Sequence, residues 1–358
     1  MINVTKTSLP SLKLYSRYLE KIWEKGWITN NGEYVQLLEN ELEKYLSIKN
    51  LIAVANGTLA LQLAIKALDL KGEVITTPFT FAATTNSIIW EGLTPVFADI
   101  NPLTFNIDPK DIEKKITNKT SAILAVHVYG NPCAVEELDK IAKKYKLKII
   151  YDAAHAFGVT YKGQSILSFG DISTLSFHAT KAFHTIEGGA VIVKVDQIFE
   201  KIKLMRNFGI KSEEEVVLPG INAKMNEFQA IMGLANLPLF GKGVDRRRKI
   251  YELYSTGLRN VNDIRFQDIK FSEGNYSYMP VIFKNKILRD KIYDELKKNG
   301  INSRKYFFPL ASNFKFIKRG KPLPNSKSIS NSVLCLPIYE SLKLEIVQQI
   351  INLIKHQI

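Results

Sequence analysis

Cysteine is scarce: Cys133 and Cys335 are the only two in 358 residues. Two thiols cannot build a disulfide framework. With only five histidines in the chain they form no cluster at zinc-ligand spacing, so no metal site is expected. Each cysteine reads as a small core or surface residue rather than a nucleophile. Apolar runs long enough to cross a bilayer are missing, which argues against a membrane partner. The first residues, "MINVTKTSLPSL", lack a basic stretch followed by an apolar one, so no secretory leader is expected. Both absences point to the cytoplasm. Repeats and low-complexity tracts are absent too. So is a concentrated basic block, although 49 Lys+Arg against 35 Asp+Glu give a formal charge of +14. The lysines are dispersed among acids, as in "EELDKIAKKYKLK". The densest cluster, "DRRRK" at 245–249, is too short for a nucleic-acid-binding arm. The charge therefore reads as a lysine-rich solvated surface with some attraction for phosphates. Nucleic acid is not an expected partner.

What is present is a folding composition, 46% apolar and 23% charged. The length suits one large and one smaller domain. Two stretches before residue 50, "LKLYSRYLEKIWEKGW" and "YVQLLENELEKYL", have helical periodicity, with the loop "ITNNGE" between them. Short apolar or β-branched runs then recur at about 51–55, 73–76, 95–98, 121–128, 148–152, 172–177 and 189–194. Helical segments near 58–69, 80–91, 134–146 and 196–207 separate most of them. Such alternation predicts a mainly parallel sheet covered by helices. The last two strands are too close for a helical crossover, so one of them is expected to run antiparallel. A polar stretch at 211–222 precedes a helix over 223–236. Beyond "FGKGVDRRR" a long helix leads into "YSYMPVIFK", "KIYDELKKNGIN" and "SVLCLPIYE", a small α+β unit. The expected division is 1–240, with its N-terminal helical segment, and 241–358.

Three places carry chemistry. In "VANGTLALQLAIKAL" a strand ends at Asn56-Gly57-Thr58 and a helix begins. Its first amides either bind a phosphate or simply start a helix capped by Thr58. In "KIIYDAAHAFG" Asp152 ends a buried strand, where open α/β sheets present ligand groups, and His155 follows. A strand-end cap and a satisfied core histidine are the plainer alternatives. In "SFHATKAFHTIEGGAV" Lys181 sits in a loop of small residues. It is a nucleophile if desolvation or nearby positive charge keeps its amine neutral, and otherwise a solvated lysine. The spacing of His178 and His184 is not a usual metal-ligand pattern. In combination the three are more specific. A helix start for a phosphate, an acid for a pyridine nitrogen and a lysine for an aldehyde are what pyridoxal 5′-phosphate (PLP) requires.

Those motifs occur in order with "GWITNNGE", "TTPFTFAATTNSIIWEGLTPVFADI", "VHVYGNP", "NFGI", "GINAKMNEFQAIMG" and "YFFPL". Over nearly its whole length the chain resembles the DegT/DnrJ/EryC1/StrS family of sugar-nucleotide aminotransferases. Through "WITNNG" and "SFHATK" it is most similar to the dTDP-4-amino-4,6-dideoxyglucose transaminases. The resemblance implies an α/β, fold-type I (aspartate aminotransferase-like) enzyme with a large mixed, mainly parallel sheet and a small C-terminal α+β domain. It implies PLP as cofactor, cycling through pyridoxamine 5′-phosphate. L-glutamate is the implied donor and dTDP-4-keto-6-deoxy-D-glucose the acceptor. The implied assembly is a homodimer with shared active sites.

Residue by residue, the resemblance makes Lys181 the Schiff-base lysine and proton carrier, and Asp152 the partner of the pyridine nitrogen. His155 falls near the phenolic oxygen and Phe81 against the ring face. Gly57, Thr58 and Ser176 match phosphate ligands, and Asn222 matches a residue reaching the partner subunit's phosphate. Asn30, Asn31, Lys224 and Tyr306 are candidates for the nucleotide sugar. Ala311 departs from the many relatives that carry histidine after Pro-Leu. Two rival readings stand: amination at C3 or of another nucleotide sugar, and a non-catalytic regulator on the same fold. A branch that replaces the lysine by histidine performs dehydration, and Lys181 argues against it.

Overall fold

The computed structural model describes residues 1–318 and 320–358. Strands β1 (Leu51–Val54), β2 (Glu73–Thr76), β3 (Thr94–Phe97), β4 (Thr120–Val126) and β5 (Lys148–Asp152) belong to one sheet. A short hairpin, β6 (Thr160–Tyr161) and β7 (Gln164–Ser165), follows. Then β8 (Ile172–Ser176) and β9 (Gly189–Val193) complete seven strands in the order β1-β9-β8-β5-β4-β2-β3. The pairs β2–β3, β2–β4, β4–β5 and β5–β8 are parallel. β9 runs antiparallel to both β8 and β1. The reversal expected from the short 172–194 spacing is thus found, at β9.

Strand residues alternate between two cores. Ile123, Ala125, Ile149 and Tyr151 face one, and Ala122, Leu124, Ile150 and Ile172 face the other. A parallel sheet covered on both sides reads as a continuous apolar run, which is how these strands appeared. The first core takes Ile22 from α1 (Leu12–Lys25) and Leu38 and Leu42 from α2 (Glu33–Leu46). The second takes Ala60, Leu61 and Ala64 from α3 (Gly57–Ala67) and Ile88 from α4 (Ala82–Trp90). Short α5 (Pro109–Glu113) and then α6 (Val135–Tyr145) cover the first face, and α7 (Asp196–Met205) the second.

The polar 211–222 region holds part of a hairpin, β10 (Ile210–Ser212) with β11 (Glu215–Val216). The helix expected over 223–236 is shorter: α8 runs from Glu227 to Asn236. Asn226 and Gln229 form a reciprocal capping box that fixes its start. The preceding residues are extended instead, with Ala223 accepting from the Ala55 amide.

The long helix α9 (Phe240–Leu258) begins in the first core at Phe240 and ends in a third with Ile250, Tyr254 and Leu258. That third core lies on an antiparallel sheet, β12 (Ile264–Phe266), β13 (Met279–Phe283) and β14 (Val333–Leu336). α10 (Lys286–Lys298), α11 (Pro324–Ser332) and α12 (Leu344–His356) complete this unit. The N-terminal residues pair with the small C-terminal unit. Ile2 bridges Ile301 and the Val4 carbonyl accepts from Ile338, because this short extended segment satisfies backbone groups on the small unit. No helix among the described residues is long and apolar enough to cross a membrane.

Arg206 locks the N-terminal helices onto the sheet edge. It pairs with Glu39 of α2 at 2.6 Å, donates to the Ala53 carbonyl at 2.9 Å, and reaches Asn31 Oδ1 at 2.9 Å. Replacing Arg206 with Leu leaves the half-buried Glu39 with only the Ala53 amide as partner, so denaturant unfolding should show a loss of about 3 kcal/mol.

Candidate active site

The site forms where β1, β5 and β8 end and the β8–β9 loop passes above them. Gly189 and Gly57 permit its closest approaches. A Cβ on Gly189 would lie 2.7 Å from the Asn56 carbonyl carbon and from the Leu175 carbonyl oxygen. A Cβ on Gly57 would lie 2.8 Å from Ser176 Cβ. The turn into α3 therefore presses against the end of β8, and Gly57, Thr58 and the Ser176 hydroxyl share one corner. Asn56 is the cap, accepting from the Leu59 amide at 2.9 Å, which corrects the reading of Thr58 as the capping residue. As the first residues of α3, Gly57 and Thr58 have amides without intrahelical acceptors. The corner suits an anion.

Asp152 ends β5 almost fully buried. Thr84 Oγ1 donates to its Oδ2 at 2.8 Å and the Ala154 amide to its Oδ1 at 3.1 Å. Burial raises its pKa, while Thr84, Ala154 and the charge of Lys181 oppose the rise. Among the described residues it has no ion-pair partner within contact distance. His155 is buried beside it. Its Nδ1 accepts from the Tyr129 amide at 3.2 Å, which places the proton of the neutral ring on Nε2. Burial first, and Lys181 second, push its pKa well below the usual imidazole value. The ring is available as a neutral donor.

Lys181 lies in the β8–β9 loop, its amide donating to the His178 carbonyl at 2.8 Å. Desolvation pulls the amine from 10.5 down to about 8, with Asp152 opposing. Its Nζ is 3.4 Å from the hydroxyl of Tyr278, which sits just before β13. The neighbouring histidines are occupied elsewhere. His178 contacts Thr180 Oγ1 at 2.8 Å and Glu187 at 3.5 Å, and His184 donates from Nε2 to the Ser8 carbonyl at 2.6 Å.

The structure thus brings Lys181, Asp152 and His155 together, and Gly57, Thr58 and Ser176 together. Phe81 stands at the N-cap of α4, one turn before Thr84, and is 59% exposed. The remaining candidates divide. Asn31 is engaged with Arg206, Lys224 donates to Asn207 Oδ1 at 2.9 Å, and exposed Asn222 bridges Asn207 through its backbone. Asn30, like Asn31, adopts a left-handed conformation in the exposed loop between α1 and α2. Tyr306 lies across the site, its carbonyl accepting from the Tyr129 hydroxyl and its own hydroxyl from Arg304. Ala311 is buried, its amide donating to the Pro78 carbonyl at 2.9 Å. Thr84, Tyr129 and Tyr278 were missed. Only Thr84 carried a local signal, one helical turn after Phe81 in "FTFAATT".

The model of the DegT/DnrJ/EryC1/StrS aminotransferase family matches residues 13–355. The chain belongs to this family. A dTDP-4-amino-4,6-dideoxy-D-glucose transaminase from Escherichia coli is 45% identical, covering 99% of this chain and 98% of its own. One from Shigella dysenteriae is 41% identical with the same coverage. A solved structure of DesI, determined in the presence of its TDP-sugar product, matches with a TM-score of 0.94 at 32% identity. It covers 99% of this chain and 92% of that one. The protein is a fold-type I, PLP-dependent aminotransferase. Its residues fit the cofactor: an anion corner, a buried carboxylate without a cation, and a lysine drawn toward neutrality.

Two outcomes follow for this family member. Gly189→Ala should destabilise the protein by about 1–3 kcal/mol in denaturant unfolding and weaken cofactor retention, because the added methyl meets backbone on both sides. Acylation of Lys181 in the cofactor-free protein should rise with pH around a midpoint near 8. Below that midpoint the ammonium predominates and does not react; above it the free amine does.

Proposed function

We propose that the protein transfers the amino group of L-glutamate to C4 of dTDP-4-keto-6-deoxy-D-glucose, giving 2-oxoglutarate and dTDP-4-amino-4,6-dideoxy-D-glucose. The convergence of Lys181, Asp152 and the Gly57 corner at one sheet edge carries this reading. The similarity to the two bacterial dTDP-4-amino-4,6-dideoxy-D-glucose transaminases supports the choice of sugar and carbon. In the same reading the chain divides near residue 240, is cytoplasmic, and works as a homodimer in sugar-nucleotide biosynthesis. Exposed Trp27, Ile28, Phe81, Ile186, Phe208 and Ile221 support the dimer, since large apolar side chains open to solvent mark association surfaces.

PLP, when bound, carries nitrogen between the two substrates and delocalises the electron pair left when a carbon gives up its proton. Gly57 and Thr58 amides and the Ser176 hydroxyl would hold its phosphate, with Asn222 contributed from the partner subunit. Asp152 would keep the ring nitrogen protonated, held in place by Thr84 and the Ala154 amide. His155 would donate from Nε2 toward the phenolic oxygen, and Phe81 would cover the ring face. Lys181 Nζ takes the proton from the donor carbon and returns one to the acceptor carbon. An amine lowered to about 8 does this near neutral pH, where an ordinary lysine would stay charged. Asn30, Asn31, Lys224 and Tyr306 would contact the nucleotide sugar, Asn31 and Lys224 exchanging their present bonds to Arg206 and Asn207 for it.

Lys181→Ala should abolish turnover and Asp152→Asn should lower kcat by about 100-fold or more, as expected for loss of a pre-organised charge. Incubation with glutamate and several keto-sugar nucleotides, followed by product structure determination, tests the substrate. A C3-amino product would replace the C4 assignment. Normal turnover in Lys181→Ala would sink the mechanism.

A further inference from the structure

The hydroxyl of Tyr278 is the side-chain hydrogen-bond partner of the Lys181 amine among the described residues, at 3.4 Å. The two come from different parts of the fold. Lys181 belongs to the β8–β9 loop of the seven-stranded sheet, and Tyr278 directly precedes the central strand of the three-stranded one. The tyrosine is held by rings on three sides. His155 is 4.6 Å away, Tyr129 5.2 Å and Tyr306 6.1 Å, measured between ring centroids. Tyr129 and Tyr306 are themselves joined through the Tyr129 hydroxyl and the Tyr306 carbonyl. Among the described residues no other side-chain hydrogen bond fixes the end of the lysine, whose four-carbon stem is flexible.

We propose that Tyr278 is the positioning residue of Lys181: its hydroxyl holds and aims the amine whenever that amine is free. The proposal rests on the reading of Lys181 as proton carrier. A phenol hydroxyl suits the task in both charge states. It accepts from the ammonium and donates to the lone pair of the neutral amine. Burial pushes the Tyr278 phenol well above its usual pKa, so the hydroxyl keeps its proton through the working range and acts by orientation. The charged and titratable groups around the pair are Asp152 at the end of β5, His155 after it, Tyr129, Tyr306, Arg304 and Cys335 of β14. Asp152 favours the ammonium and desolvation opposes it; the bond that Tyr278 accepts from the ammonium is charge-assisted, hence stronger than the one it donates to the neutral amine.

Tyr278→Phe removes the hydroxyl and keeps the ring, so the packing on His155 and Tyr129 persists; thermal unfolding checks this. Competitive acetylation of Lys181 in the cofactor-free, full-length protein, read by mass spectrometry across pH, reports the amine directly. Loss of a charge-assisted hydrogen bond should move the midpoint down by about one pH unit. In the holoenzyme kcat with glutamate should fall roughly tenfold at little-changed KM. An unchanged acetylation midpoint, whatever the turnover, overturns the proposal, and so does wild-type kcat. The acetylation readout does not depend on catalysis, so loss of the proton-carrier reading through an active Lys181→Ala would be seen separately.

Discussion

A carboxylate at the buried end of a central strand is the constraint around which this molecule is arranged. Leaving Asp152 ionised in the interior is costly, and two donated hydrogen bonds only partly offset that cost. The donors come from different elements, Thr84 from α4 and Ala154 from the turn after β5. Thr80 in turn bonds Thr84, oxygen to oxygen at 2.7 Å. Since the Thr84 proton is committed to Asp152, Thr80 is the donor of that bond. The "TTPFTFAATT" segment is therefore a short relay ending on the carboxylate. Its placement also puts Phe81 at the mouth of the site. In the proposed function a protonated pyridine would supply the attraction that Asp152 still lacks.

Burial acts on the two bases nearby in the same sense, while their charged neighbours act in opposite ones, Asp152 raising Lys181 and Lys181 lowering His155. Desolvation lowers both Lys181 and His155, but Asp152 restores part of the loss at the lysine. Lysine ends near 8, able to gain and lose a proton, while histidine stays neutral with its proton fixed on Nε2 by the Tyr129 amide. One carboxylate and one enclosed volume thus separate a titrating group from a permanent donor. The aromatic group that encloses them, Tyr129, Tyr278, Tyr306 and Phe307, spans the large and small sheets.

Much of this was legible in the chain because it rests on local pattern. Gly57 after Asn56, Asp152 ending an apolar run and Lys181 in a loop before Gly188-Gly189 are recognisable by type and position. The β9 reversal followed from a spacing too short for a crossover. What stayed hidden depends on long-range closure. Tyr278 reads as an ordinary aromatic beside an apolar strand, and only the meeting of two sheets puts it on Lys181, 97 positions away. The start of α8 was misplaced because apolar Ala223 and Met225 fit helical periodicity, whereas the capping box and the pairing of Ala223 with Ala55 decide the matter. Residues 1–4 could not be assigned to the small unit from sequence, since a short extended segment carries no mark of its partner.

The two histidines that flank Lys181 gain a role from this geometry without touching the chemistry. His184 donates to the Ser8 carbonyl, and Asn236 donates to the His184 carbonyl at 3.1 Å. The Ser8 hydroxyl donates to Glu340, whose carboxylate also pairs with Arg247 at 2.6 Å. The C-terminal side of the lysine loop is therefore tied through the N-terminal segment to the small unit. On its other side His178 spans Thr180 and Glu187 across the same loop. With the loop backbone tied on both sides, the lysine stem is the flexible part that the proposed proton transfer would use. A group that must swing between proton donor and acceptor positions needs that combination: a fixed base, a flexible arm and a fixed partner at its tip.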